Sequence, residues 1–287
     1  MPKIAIVTDS TASCTQDKIG NVPVVTVPLD IVWDGKIYKD SVNIFPEDIY
    51  KRIKTSKLSL PSTNPPSPQD FYDVYKNLLD EGYEIISLHI SLGISHTLNS
   101  AIQAKKLLGN DVPIEIHDSY VTAMVLKMLL IEAAEAIEAG KSLPEVAEVV
   151  RSSRERTQVF FTVKDLDHLV RGGRVTRFQS FLGKLFQVRP IFTFKNGEIV
   201  TMKNVLTFPG ALRNIERSCI NATRGKQVRN IVATYTDNEK FVTHFYDHLL
   251  KRAGIEKPQK AFIDPLTPVI GVHTGPGCVG LAFMLEE

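Results

Sequence analysis

Cysteine and tryptophan are scarce in this sequence: 287 residues contain three cysteines and one tryptophan. Cys14, Cys219 and Cys278 are far apart, and no CxxC pair occurs. That excludes a zinc-ribbon spacing and a disulfide framework, and no metal ligand set is indicated. A charge excess is missing too. The 34 basic and 32 acidic residues leave a net charge of +2, without the basic surplus of a dedicated nucleic-acid binder. There is no internal repeat, low-complexity linker or block of like charge. Long apolar runs are also absent. The most apolar stretch, 120–139, is broken by Lys127, Glu132 and Glu135 and is too charged for a membrane span. No apolar signal-peptide stretch precedes the first strand-like run. The expectation is a cytoplasmic chain with no stable membrane insertion and no nucleic-acid partner.

What is present favours packed cores. The hydrophobic fraction is 43%, and the length suits about two domains. Residues 4–7, 22–29, 85–90 and 113–117 read as strands. Helices are predicted over 45–55, from Ser67 onward, and over 97–108, 121–139 and 142–155. Ser67-Pro68-Gln69-Asp70 supplies an N-cap, a first-turn proline and an acidic third position. This alternation predicts a parallel sheet flanked by helices. Character changes near Gln158. A strand is expected over 159–163, a short helix over 165–170, and a hairpin around Asn196-Gly197. A helix (209–223), a strand (230–235), a helix (240–253) and strands over 269–272 and 280–285 follow. The predicted fold is α/β in two domains, an N-terminal parallel sheet flanked by helices (1–158) and a C-terminal mixed α+β domain (159–287), with a ligand site between them.

Three polar turns carry the chemistry. Residues 85–90 run into Ser91-Leu92-Gly93-Ile94-Ser95-His96-Thr97, a glycine turn that opens a helix. A helix start has partial positive charge and unpaired N–H groups. With the Ser95 hydroxyl it suits a small anion such as a carboxylate. Ser62-Thr63-Asn64-Pro65-Pro66 and His273-Thr274-Gly275 are the turns that could converge on it. Gly93-Ile94-Ser95-His96-Thr97 departs from the GxSxG nucleophile elbow at its last position, where the strained turn needs a small residue. A Ser95-dependent acyl hydrolase is nonetheless the enzyme alternative, and a simple helix cap the plain one. Gly275 to Gly280 spells GxGxxG, but a strand follows rather than the helix that would hold a pyrophosphate.

Other features fit two readings each. Arg171-Gly172-Gly173-Arg174 fits a capped helix end with solvated arginines. It equally fits two guanidinium forks facing phosphate or carboxylate, which gives a phosphate-ligand-binding transferase as the third alternative. Phe178, Phe181, Leu182, Leu185 and Phe186 recur at helical spacing, and Val188, Ile191, Phe192 and Phe194 follow. That stripe, like Met124 and Met128, fits a core as well as the wall of a pocket for an aliphatic chain. Asp9 and Asp118-Ser119 follow their strands directly, as helix caps and as ligand-facing residues do.

Taken in order, these motifs resemble the DegV family, whose characterised members are the fatty-acid-binding FakB-like proteins. The resemblance spans essentially the whole chain. It rests on Thr8-Asp9-Ser10-Thr11, the 62–65 turn, the 91–97 turn, Asp118-Ser119, Leu169-Val170-Arg171-Gly172-Gly173-Arg174-Val175, Leu182-Gly183 to Arg189-Pro190, Gly197 and His273-Thr274-Gly275-Pro276-Gly277. His96 stands where the family has glycine, Asn64 where it has glutamine, and Pro66 where it has a small residue. The arginine usual in the strand after Gly197 is absent.

The resemblance implies a lipid carrier rather than an enzyme, and no cofactor. A long-chain fatty acid is its ligand, presented to a separate fatty acid kinase for phospholipid synthesis. The implied carboxylate contacts are Ser62 and Ser95, with Thr63 and His96 beside them and His273, Thr274 and Arg174 behind. Phe161, Met124, Met128, Phe178, Phe181, Leu182 and Phe192 are the tunnel-lining candidates. Arg171 and Arg174 are the candidates for docking the kinase.

Overall fold

A computed structural model describes residues 3–55, 60–174, 188–256, 258 and 260–286. The chain begins with β1 (Lys3–Asp9), a 3-10 turn at Ser10–Ala12, the short β2 (Lys18–Ile19) and β3 (Val22–Val27). A hairpin of β4 (Asp30–Trp33) and β5 (Lys36–Lys39) leads through α1 (Pro46–Thr55) to β6 (Ser62–Asn64). Then come α2 (Pro68–Asp80), β7 (Tyr83–His89), α3 (Thr97–Leu108), β8 (Ile114–Asp118), α4 (Ala123–Glu138) and α5 (Leu143–Glu155). The rest holds β9 (Thr157–Thr162), α6 (Asp167–Arg171), β10 (Arg189–Lys195), β11 (Glu198–Val205), α7 (Phe208–Thr223), β12 (Val228–Tyr235), α8 (Glu239–Ala253), β13 (Lys260–Pro265), α9 (Pro268–Thr274) and β14 (Val279–Leu285).

Local chemistry sets several boundaries. Ser67 and Asp70 form a reciprocal capping box at α2, with Pro68 in its first turn. Ser142 and Glu145 do the same for α5. The β4–β5 hairpin turns on Asp34-Gly35, both at positive φ, as a two-residue hairpin loop requires.

The N-terminal sheet has the order β2-β3-β1-β7-β8. β3, β1, β7 and β8 are parallel, and β2 pairs antiparallel with β3 at the edge. The C-terminal sheet has the order β11-β10-β9-β14-β12-β13 and is antiparallel except between β12 and β13. The fold is therefore α/β, with a parallel sheet flanked by helices followed by a mixed sheet with its own helices. The antiparallel sheet β5-β4-β6 was not foreseen. Residues 269–272, expected as a strand, are helical in α9. Thr267 and Pro268 open that helix, and an oxygen of the buried Asp40 carboxyl group accepts from the Val269 N–H at 3.0 Å.

The long apolar helix α4 is buried nearly all round, as such a composition demands in water. Its side chains pack with Ile4, Ile6 and Val24 of the parallel sheet and with Val232, Ala282 and Met284 of the mixed sheet. One core thus draws on residues from both sides of position 158. The charges that break its sequence are matched. Lys127 meets Asp264 at 2.7 Å, and Arg229 reaches Glu132 at 2.8 Å and Glu135 at 2.6 Å.

Candidate functional site

β1 and β7 lie side by side, and the chain leaves them in opposite directions, toward β3 and toward β8. That is a topological switch point, and it opens a crevice beyond the carboxyl ends of the two strands. Asp9 fixes its base. One carboxylate oxygen accepts from the Thr11 N–H (3.1 Å) and hydroxyl (2.5 Å). The other accepts from the Ile90 N–H at 2.9 Å and sits 3.2 Å from His89 Nδ1. His89 Nε2 continues to Ser87 at 2.7 Å and Ser87 to Tyr75 at 2.6 Å. All these side chains are fully buried. The Asp-His-Ser order therefore holds the two strand ends together, and none of the three residues lines the cavity above.

Above this base lies a cavity that opens to solvent at one end. Its walls come from both halves of the chain. Thr11, Ile90, Ile94 and Ser95 come from the parallel sheet's upper edge, and Met124 and Val125 from the start of α4. Val159, Phe161, Val232, Thr234, Gly280 and Ala282 come from the mixed sheet, and Val269, Ile270, His273 and Thr274 from α9. The lining is largely apolar, with Thr11, Thr122 and Thr234 among the apolar side chains, and its charged and imidazole groups sit at one end. There Thr63, Ser95, Arg174 and His273 gather, and an outer hollow shares the first three of them and adds Pro65, Leu92 and His96.

The polar end is built from short local bonds. Thr63 Oγ1 lies 2.8 Å from His273 Nε2. The His273 Nδ1 is buried, and no acceptor or donor faces it among the described residues. Burial, reinforced by Arg174 and His168 nearby, pushes the His273 pKa down to about 3, so the ring is neutral at ordinary pH. Ser95 Oγ is 2.9 Å from Thr97 Oγ1 and accepts from the Thr97 N–H at 3.3 Å, at the start of α3. Arg174 is half-buried. Its guanidinium donates to Gly172 O at 2.5 Å and Ile94 O at 3.4 Å, and burial lowers its pKa. Gly172 is required for space, because a Cβ there would lie 2.5 Å from His273 Nδ1. Gly93 is required likewise. A Cβ on it would meet Gly197 O at 2.5 Å, where the β10–β11 hairpin closes on the 91–97 turn. Ser91 Oγ pins that approach by donating to Gly197 O at 2.8 Å.

The predicted site residues divide. Thr63, Ser95, His273, Thr274, Arg174, Met124 and Phe161 line the cavity. Ser62 is not among the lining residues. On β6 successive side chains face opposite ways, so Ser62 is exposed while Thr63 points inward. His96 is exposed at the mouth, its Nδ1 3.2 Å from Asn99 Nδ2. Met128 and Phe192 are core residues away from the lining, one on α4 and one stacked on Phe161 at 5.1 Å. Phe178, Phe181 and Leu182 lie outside the described residues. Arg171 is exposed at the end of α6. The sequence reading missed Thr11, Val159, Val232, Thr234, Gly280 and Ala282. For the last five the only signal was the period-2 alternation of their strands. Among the described residues no cluster of three His, Cys, Asp or Glu side chains could hold a metal, and no helix is long and apolar enough to cross a membrane. The elbow-like Ser95 has a threonine, not an imidazole, as its side-chain partner.

A family profile described as "Uncharacterised protein, DegV family" matches residues 3–286. A DegV domain-containing protein of Listeria monocytogenes is 30% identical over 291 residues, covering 99% of each chain. The fold is similar to that of a Thermus thermophilus DegV family protein described as fatty acid binding. The TM-score is 0.89 at 31% identity, over 99% of this chain and 100% of that one. It is also similar to DegV of Bacillus subtilis, described as a fatty acid binding protein, with a TM-score of 0.87 at 27% identity over the full length of both.

Proposed function

The chain belongs to the DegV family, and from that premise we propose that it binds one long-chain fatty acid and carries it, without chemistry of its own, to a fatty acid kinase in the cytoplasm. The observation that supports this reading is the asymmetry of the cavity, largely apolar with its charged and imidazole groups at one end. A carboxylate leaves water only if donors replace its hydration. Ser95, Thr63 and Arg174 are the donors at hand. The neutral His273, as its Nε2–H tautomer, donates to Thr63 Oγ1, and the threonine proton is then left for the carboxylate. Thr274 supports the same end by anchoring α9, its hydroxyl donating to Ile270 O at 3.1 Å.

The tail follows the apolar wall. Each buried methylene contributes about 0.8 kcal/mol, so the chain supplies most of the affinity and the polar end sets direction. The carboxylate is thereby left at the mouth, beside the exposed His96, where a kinase would reach it. Arg174 belongs to the carboxylate end, because its guanidinium is already engaged with Ile94 and Gly172. Arg171 is the arginine left for docking.

The test has two stages. Delipidated protein titrated with fatty acids should bind more tightly as the chain lengthens. Equal affinity for short and long acids would refute tail burial. With kinase and ATP added, the loaded protein should yield acyl phosphate, and Arg171→Ala should keep its lipid while losing that product. Acyl phosphate formation by the variant at the wild-type rate would refute the docking role.

A further inference from the structure

The cavity floor is a patch of the mixed sheet whose register is fixed. Gly280 on β14 pairs with Phe161 on β9 and Thr234 on β12. Two residues on, Ala282 pairs with Val159 and Val232. All six line the cavity. Side chains two apart on a strand share a face, so these are successive rungs of one surface. The centre of each rung is small, glycine and then alanine, between bulkier neighbours. The result is a groove running along β14. A Cβ at Gly280 would stand 2.8 Å from Thr234 Cγ2, so the first rung takes no central side chain without movement.

The third rung is different. Met284 pairs with Thr157 and Asn230 and shares the core around α4 with Val232 and Ala282, but unlike them it is not part of the lining. Asn230 is buried too, and its amide donates to Glu132 at 3.0 Å. β14 begins just after the His273-Thr274-Gly275 turn, so the groove leads away from the polar end. It is open for two rungs and shut at the third by a thioether and a buried polar pair.

We propose that Ala282 and Met284 gauge the length of the acyl chain. The methyl end stops on the Val159–Ala282–Val232 rung, against Met284. This rests on the fatty-acid reading above and adds to it the residues that select among acids. Bulk at position 282 shortens the groove, and its removal at position 284 extends it.

Delipidated wild type, Ala282→Leu and Met284→Ala are titrated with laurate, myristate, palmitate and stearate. Ala282→Val stands in if the leucine variant does not fold, and thermal melts check each protein. Ala282→Leu should lower the ratio of stearate to laurate affinity about tenfold, the loss of roughly two buried methylenes. Met284→Ala should raise that ratio. Length profiles of folded variants that superimpose on the wild type would overturn the gauge and leave fatty acid binding intact. A wild type that binds none of the four acids would overturn the function itself and the gauge with it.

Discussion

Replacing Thr63 by valine deletes one hydroxyl from the mouth of the cavity and keeps the branched shape that β6 accommodates. The hydroxyl sits 2.8 Å from His273 Nε2 and faces the lining. Its loss removes a hydrogen bond to a charged ligand group, worth about 1.5–3 kcal/mol. It also strands an imidazole whose other nitrogen already lacks a partner among the described residues. The dissociation constant for palmitate should rise about 10- to 150-fold. The neighbouring Ser62 is the internal control. It is exposed on the other face of the same strand, so Ser62→Ala should change affinity by no more than about twofold. Calorimetric titration of the delipidated proteins reads both values. Wild-type affinity in Thr63→Val, or an equal loss in Ser62→Ala, would refute the placement of the carboxylate at Thr63.

Ser95→Ala should weaken palmitate binding by about 1.5–3 kcal/mol without ester turnover appearing or vanishing. Ester hydrolysis that depends on Ser95 would restore the enzyme alternative. Two buried groups should tilt stability with pH in opposite directions. His273 is pushed down to about 3, so its neutral form contributes fully above its ordinary value of about 6.5 and loses that contribution as pH falls toward 3. His273→Gln should flatten the acid limb of urea-derived stability, and an equally steep limb would count against burial of the neutral ring. Burial raises the Asp40 carboxyl to about 7, so the contribution of its protonated form is full below pH ~4 and lost as pH rises through 7. Asp40→Asn should therefore gain on the wild type above pH 7 in the same urea series, and a loss there would contradict the protonated carboxyl. Arg229→Ala leaves Asn230 as the one side-chain partner of the buried Glu132 among the described residues, at a cost of roughly 2–3 kcal/mol, below that of a fully buried pair because Arg229 is partly exposed. A urea midpoint matching the wild type would show that the pair contributes nothing.

Much of the fold was legible because local chemistry and tertiary structure agree. The Ser67 and Ser142 caps, the Asn196-Gly197 hairpin and the strand–turn–helix at 85–108 appear as their residues imply. The failures are equally specific. Asp34-Gly35 carried a hairpin signal that was overlooked, and with it the three-stranded sheet was lost. β6 is three polar residues that pair only because β4 offers an edge, so nothing in Ser62-Thr63-Asn64 shows which hydroxyl turns inward. Val269-Ile270-Gly271-Val272 has strand-like residues. Its helical state depends on Asp40, far away in sequence, and on Gly271 packing against the Tyr50 ring. Aromatic and methionine stripes likewise do not say whether a side chain meets a ligand or a neighbour. Met124 lines the cavity, and Met128, one turn later on the same helix, is core.

The central claim is that this cavity holds a fatty acid. Organic extraction of the purified protein, followed by mass spectrometry against a protein standard, tests it most directly. A long-chain fatty acid at close to one molecule per chain is expected. An extract free of fatty acid, together with a phosphorylated water-soluble ligand in the aqueous phase, would contradict it.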